Sequence, residues 1–310
     1  MLELSETASA VIQQLLTKGY RACVTSVGHM SALEVEYQGY TQRSVWKSSP
    51  HLSRHVFNFK PPEKLRLGGS VITVAAPVPP VKLEFGFQGR RHQVDAPPLS
   101  TDYQRDLKIF SSIINEVIMA GGYRLFEANL PTKLIASHAG LLENGLNNMG
   151  YIPGMGSFFR LAAFYSDMPV AGDLWQDHIV SGKCRHCQAC LNNCPTGCLQ
   201  PDCFDVSRCL SLLSKEPYDF PEWVDSRWHN SIIGCRICQL TCPMNVDYLE
   251  QASIGAEFSE IETQAILSAV PLGQLLEDTR MKLERFHLGD YYDILPRNLR
   301  LLLDNRRENQ

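Results

Sequence analysis

Ten of the eleven cysteines in this 310-residue chain lie between positions 184 and 242, and their spacing is that of metal ligands. The first run, CRHCQACLNNCP, places Cys184, Cys187, Cys190 and Cys194 ahead of Pro195. This is the C-x2-C-x2-C-x3-C-P spacing of a two-cluster 4Fe–4S module, in which the fourth cysteine serves the neighbouring cluster. The second run, CRICQLTCP, supplies Cys235, Cys238 and Cys242 before Pro243, and Cys209 upstream fills the one vacant position. Two-residue gaps let successive thiolates curl around one cubane, while the cysteine before proline points across to the other. The spacing therefore assigns Cys184, Cys187, Cys190 and Cys242 to one cluster and Cys194, Cys209, Cys235 and Cys238 to the second. A pair of zinc sites could use the same thiolates, but zinc needs neither the cross-serving cysteine nor the proline after each run. Cys198 and Cys203 are left over as buried or incidental thiols, and the isolated Cys23 reads as core.

Thiols clustered in this way are metal ligands where the compartment is reducing. The chain start, MLELSETASAVIQQLLTKGY, has no basic region and no continuous apolar stretch of a secretory signal. It reads as an amphipathic helix with Ala8, Val11, Ile12, Leu15 and Leu16 on one face. No apolar run reaches the roughly 20 residues that cross a bilayer, so a soluble, cytoplasmic protein with no membrane partner is expected. The net charge of −4 argues against a dominant nucleic-acid footprint.

These ligands need elements to hold them. SVITVAAPV, residues 70–78, is a short apolar run bounded by Gly-Gly and Pro-Pro and reads as a buried strand. Residues 81–100, rich in Gly, Pro and Arg, read as a loop. A helix is predicted over 102–120, capped by Thr101, with Leu107, Phe110, Ile113, Ile114, Val117 and Ile118 as its stripe and Gly121-Gly122 as its stop. YRLFEA reads as a strand, Pro131-Thr132 opens a helix, Gly145 to Gly156 is a glycine-rich loop suited to close backbone approach, and FFRLAAFYS reads as a strand. Helical patterns follow the cysteine module at 260–288 and 291–304.

The cysteine order, including SRCLSLL around Cys209, resembles that of the epoxyqueuosine reductase family, which is related to the reductive dehalogenases. The resemblance extends upstream through VITVAAPVPP, TDYQRDLKIF and AGLLENGLNNMGYIPGMGSFFRLAAFYSDMPV. It implies an α+β fold: a nitroreductase-like α/β core over 1–175, a ferredoxin-like two-cluster module over 176–250 and a short helical extension over 251–310. It also implies base-off cobalamin held between core and module, with Gly145, Gly156, Ser157 and Arg160 as binding residues. Electrons would pass from an external low-potential donor of ferredoxin or flavodoxin type through the clusters to cobalt.

Two departures bear on activity. The stretch FEANLP has Ala128 where the family carries an Asp thought to donate the proton, and an alanine cannot do so. Glu143-Asn144-Gly145-Leu146 replaces the family's Trp-Ile-Gly-Lys. Tyr103, from the family's Asp-Tyr pair, becomes the candidate proton donor, although a tyrosine at a helix start is commonly packed with its hydroxyl bonded. Glu143 reads as a surface acid, His138 as a satisfied core histidine, and Arg185 and His186 as tuning the potential. The expected function is thus an oxidoreductase, a cobalamin-dependent iron–sulfur reductase acting on a different, unidentified small molecule. An activator that reduces the corrinoid of a partner protein stands second, and tRNA epoxyqueuosine reduction or dehalogenation ranks below both.

Overall fold

The computed structural model describes residues 5–42, 49, 52, 56–66, 68–96, 103–178 and 180–308. Thr101, expected as a cap, lies outside them. The chain divides into two compact units, Met1–Pro77 with Asp102–Arg185 and Val78–Thr101 with His186–Gln310.

The first unit is a sheet with helices on both faces. Helix α1 (Glu6–Thr17) starts where the Ser5 hydroxyl accepts from Ala8 N, and it buries Ala8, Val11 and Leu15. Leu16, expected on that face, is exposed. Strand β1 (Arg21–Ser26), helix α2 (Met30–Thr41) and strand β2 (Ser70–Pro77) follow. After the excursion into the second unit come helix α3 (Tyr103–Ile118), β5 (Leu125–Ala128), α4 (Thr132–His138), the small hairpin β6 (Glu143–Asn144) and β7 (Gly150–Tyr151), and β8 (Phe159–Ser166). The sheet order is β1-β2-β8-β5, antiparallel throughout. Because side chains alternate along a strand, Ile72, Val74, Ala162 and Phe164 face α1 and α3. Val71, Ala163 and Tyr165 face Met30 and Leu33 of α2 and Ile135 of α4. Asp167, just past β8, is buried and accepts from Arg124 N at 2.6 Å and Arg124 Nε at 2.8 Å.

The second unit corrects the expected loop at 81–100. Val81–Phe87 is β3 and Arg90–Ala96 is β4, an antiparallel hairpin turning at Gln88-Gly89. Val81, Leu83 and Phe85 alternate with Lys82 and Glu84, so one face is buried. Strand β11 (Ser253–Phe258) pairs with β3 in parallel, a partner far along the chain. Phe85 and Phe258 stack at 4.7 Å. The helical pattern at 260–288 is broken at Pro271 into α5 (Glu260–Leu267) and α6 (Glu277–Arg285), and α7 spans Leu295–Glu308. Helix α5 begins with a reciprocal cap between Ser259 and Glu262, and Glu262 is further held by Thr279 Oγ1 and Lys282 Nζ, each at 2.9 Å. Residues 251–310, expected as a separate extension, thus share one core with the hairpin and the cysteine module. The cysteines occupy one-turn helices, Cys184–Cys187, Ala189–Asn192 and Ile237–Leu240, and a miniature ladder of β9 (Leu199–Gln200) with β10 (Cys203–Phe204).

Candidate functional site

Short helical turns set the thiol positions. Cys194 precedes Pro195, and Gly197, at φ +61°, turns the chain so that Cys198 comes back beside it. The Cys194 and Cys198 sulfurs are 3.4 Å apart. The Cys198 thiol contacts that of Cys209, which is electrostatically coupled to Cys235. Cys238 senses Cys235, Cys190, Cys194 and Cys198. Thiols from both runs and from the intervening Cys209 therefore converge. Without metal, crowding and burial hold two of these thiols protonated: the Cys194 thiol is pushed up to about 12, first by Cys198 and then by burial, and Cys238 is pushed up to about 12 by burial first and its neighbours next, whereas the contact with Cys198 draws the Cys209 thiol down. Metal binding must displace those protons, since the thiolate is the ligand. A convergent set of soft sulfur donors fits an iron–sulfur cluster. Cys203, by contrast, is exposed on β10 and stands clear of burial.

Two groups around these thiols carry no sequence signature. Asn230 Nδ2 donates to Cys235 Sγ at 3.1 Å and to Trp228 O at 2.9 Å, while its Oδ1 accepts from Arg236 N at 2.8 Å. Arg236, inside the second run, is buried and pairs with Asp95 of β4 at 3.1 Å. A hydrogen-bond donor on the sulfur and a cation beside the cluster both favour the reduced, more negative state.

In the first unit the residues expected around a corrin separate onto two faces of the sheet. Tyr103 opens α3, where the Arg160 guanidinium lies 5.7 Å from its ring and Arg160 pairs with Asp106 at 3.2 Å. Burial raises the Tyr103 pKa, against the pull of Arg160. These three belong to the α1/α3 face, whereas the Gly145–Gly156 loop packs with α4 through Leu142, Ile152 and Met155. A Cβ on Gly145 would stand 2.5 Å from Asn147 Oδ1 and 2.6 Å from the Tyr151 ring, so the loop's own packing demands that glycine. Gly156 adopts φ +56°, and Ser157 is buried. A cavity of about 660 Å³ adjoins this loop, lined by Arg21, Cys23, Gly140, Ile152, Pro153 and Asp173 among others. Lys133, missed in the sequence, reaches the loop from the first turn of α4, bonding Asn148 O and, at 2.8 Å, Asn148 Oδ1. Burial holds its pKa down to about 8. His178, near Lys133, bonds Ser137 Oγ at 3.1 Å. His138 is the satisfied histidine expected: Nδ1 meets Gln176 O at 2.6 Å and Nε2 meets Glu36 at 2.8 Å. Trp175 lies between His138 and His29, with ring centroids at 4.7 and 4.1 Å. Glu143 bonds the Ser181 hydroxyl at 2.5 Å.

Residues 183–245 match the family described as the 4Fe-4S double cluster binding domain. The module holds two 4Fe–4S clusters, and the zinc alternative falls. An epoxyqueuosine reductase of Leadbetterella byssophila is 36% identical over 140 residues, 44% of this chain and 45% of that protein. That of Escherichia coli is 27% identical over 256 residues, 79% of this chain and 66% of that one. The chain resembles the epoxyqueuosine reductases. Its matches span between about half and two thirds of these relatives' length. The fold agrees: the crystal structure of an epoxyqueuosine reductase with a tRNA-Tyr epoxyqueuosine-modified stem loop superposes with a TM-score of 0.62 at 18% identity, covering 96% of this chain and 80% of that one. The enzyme from Bacillus subtilis gives 0.61 at 20% identity, covering 96% and 81%. The mixed helix-and-sheet architecture with a ferredoxin-like domain is thereby established.

These reductases overturn the expectation of a different, unidentified small-molecule substrate, and with it the activator reading. Ranking tRNA low rested on Ala128, on Leu146 in place of the family's lysine and on net charge; the relatives are named for epoxyqueuosine, and one is solved with a tRNA stem loop. Among the described residues no helix is long and apolar enough to cross a membrane.

Proposed function

We propose that the chain is an oxidoreductase that removes the epoxide oxygen of epoxyqueuosine in tRNA. Opening an epoxide to an alkene with loss of water consumes two electrons and two protons, and each half of that demand has a candidate on this chain. The observation that carries the reading is the convergence of thiols from both cysteine runs around Cys194 and Cys238. It supports a two-cluster relay that delivers electrons singly from an external low-potential donor. Cys184, Cys187, Cys190 and Cys242 hold one cluster; Cys194, Cys209, Cys235 and Cys238 hold the other.

The first unit is read as the nitroreductase-like core, and cobalamin as its cofactor. Glycine turns, the buried Ser157 and the adjoining cavity suit a large ligand approached by backbone. Gly145, Gly156 and Ser157 would hold it, and reduced cobalt would supply the strong nucleophile and reductant. Arg160, bonded to Asp106 on the other sheet face, orients α3 and Tyr103 instead. Lys133 is the better proton donor: it touches the glycine loop, and a pKa of about 8 leaves it protonated yet acidic near neutrality. Tyr103, on the opposite face and with its pKa raised, is the weaker one. Ala128 therefore does not disqualify the reaction.

The test is nucleoside mass spectrometry of epoxyqueuosine-containing tRNA incubated with the cobalamin-loaded, reduced protein. Queuosine appearing over hours supports the reading; intact epoxyqueuosine with fully reduced clusters and bound cobalamin overturns it.

A further inference from the structure

Cys198 belongs to neither ligand set, yet it is only 3% exposed and lies among thiols. Its sulfur is 3.4 Å from Cys194 Sγ, contacts the Cys209 thiol and is sensed by Cys238. Those three are ligands assigned above to the second cluster. An inert buried cysteine packs among apolar atoms as a small hydrophobe; this one is turned into a ligand pocket. The backbone holds it there. The Gly197 turn, closed by Gly197 N to Cys194 O at 3.1 Å, fixes its approach, and Asp205 N donates to Cys198 O at 2.9 Å at the mouth of the β9–β10 ladder.

We propose that Cys198 is a reserve ligand of the second cluster, able to take the iron that Cys194 serves. A four-iron cubane accepts one protein thiolate per iron, so five thiols around it leave one over. The 3.4 Å between the two sulfurs is comparable with the roughly 3 Å that a cysteine sulfur travels on changing its χ1 rotamer, so a rotamer change with a small backbone shift brings Cys198 Sγ to the position of Cys194 Sγ. In the exchange the Cys198 thiol gives up its proton and binds iron, and Cys194 leaves the iron and takes up a proton; no electron is transferred. The second cluster thus tolerates loss or oxidation of Cys194.

This rests on the ligand assignment, and the experiment separates the two. The full chain and four variants, Cys194→Ala, Cys198→Ala, Cys194→Ala/Cys198→Ala and Cys238→Ala, are reconstituted anaerobically. Iron is counted and the dithionite-reduced proteins are compared by electron paramagnetic resonance. The wild type and Cys198→Ala hold about eight irons, as two four-iron clusters require. Cys194→Ala also holds about eight, with a changed resonance, whereas the double variant falls to about four and keeps the signal of the first cluster. Iron in Cys194→Ala falling to the level of the double variant overturns the reserve role, and so does a loss of half the iron in Cys198→Ala alone. Cys238→Ala should fall to about four irons. If it retains the full complement, the ligand assignment itself is wrong, and the reserve role goes with it.

Discussion

The amide of Asn230 faces the sulfur of Cys235, and replacing it with leucine should make the second cluster harder to reduce. Three partners fix the orientation of that amide: Cys235 Sγ and Trp228 O take its two N–H groups, and Arg236 N donates to its oxygen. A hydrogen bond to a charged group contributes about 1.5–3 kcal/mol. Reduction adds a negative charge to the cluster, so the bond strengthens on reduction, by about 1–1.5 kcal/mol between the two redox states. A tenfold change in a one-electron equilibrium, about 1.4 kcal/mol, corresponds to 59 mV, so the midpoint should fall by roughly 40–60 mV. The assay is a redox titration of the reconstituted full chain followed by electron paramagnetic resonance. In Asn230→Leu one midpoint should drop by that amount while the other stays in place. Asn230→Asp, which puts an acceptor and a charge against the sulfur, should drop it further. Unchanged midpoints in Asn230→Leu, or a rise, would refute the electrostatic role of this side chain.

Acid should destabilise the second unit through His229. Its ring is buried, neither ring nitrogen has a hydrogen-bond partner among the described residues, and burial, helped by Arg297, holds its pKa down to about 4 from 6.5. The stabilising preference for the neutral ring is therefore present above pH 6.5 and lost as pH falls toward 4, with about 2 kcal/mol gone by pH 5. Thermal unfolding at pH 7 and 5 should show this loss in the wild type and not in His229→Phe. For Lys133, epoxyqueuosine turnover should decline as pH rises through about 8, because the acid is then deprotonated. Lys133→Gln should lose turnover with its iron content unchanged, and a wild-type pH profile in that variant would remove Lys133 from the reaction. Alkylation of the holoprotein with iodoacetamide at pH 8, mapped by peptide mass spectrometry, should modify the exposed Cys203. It should spare Cys23, which is buried with its thiol pushed up to about 12.

What was legible in the sequence was local. The cysteine runs announce themselves because a cubane is wrapped by residues two or three apart, α3 because its apolar stripe repeats with the helical turn, and β2 and β8 because they are near-continuous apolar runs covered on both faces of the sheet. The hairpin of β3 and β4 was missed although Val81, Leu83 and Phe85 alternate with Lys82 and Glu84. Flanking prolines and arginines suggested a loop, and the strand that completes the sheet, β11, lies far downstream. Lys133 was invisible for the same reason: its lowered pKa comes from burial in the folded unit, and the Asn148 oxygens it donates to belong to a later loop. Arg160 is grouped with the glycine loop by the family resemblance, yet it stands on strand β8, where alternation turns it to the α3 face. Cys198 looked incidental because a ligand count by spacing closes without it, and only the Gly197 turn brings it back to Cys194.

The discontinuous second unit has a consequence for how the chain is made. During synthesis β3 and β4 emerge before the cysteine module, and their inner face, Val81, Leu83, Phe85 and Val94, has no cover until β11 and the helices after it have been translated. At ribosomal rates of about 5–20 residues per second that interval is on the order of ten seconds. Throughout it a nascent apolar hairpin with an open edge is a target for chaperones and for neighbouring nascent chains. Iron–sulfur assembly cannot relieve it early, because Cys235, Cys238 and Cys242 are themselves late arrivals. The cysteine module is therefore not an excisable cassette, and a fragment begun at residue 186 would lack the strand on which its own sheet is built.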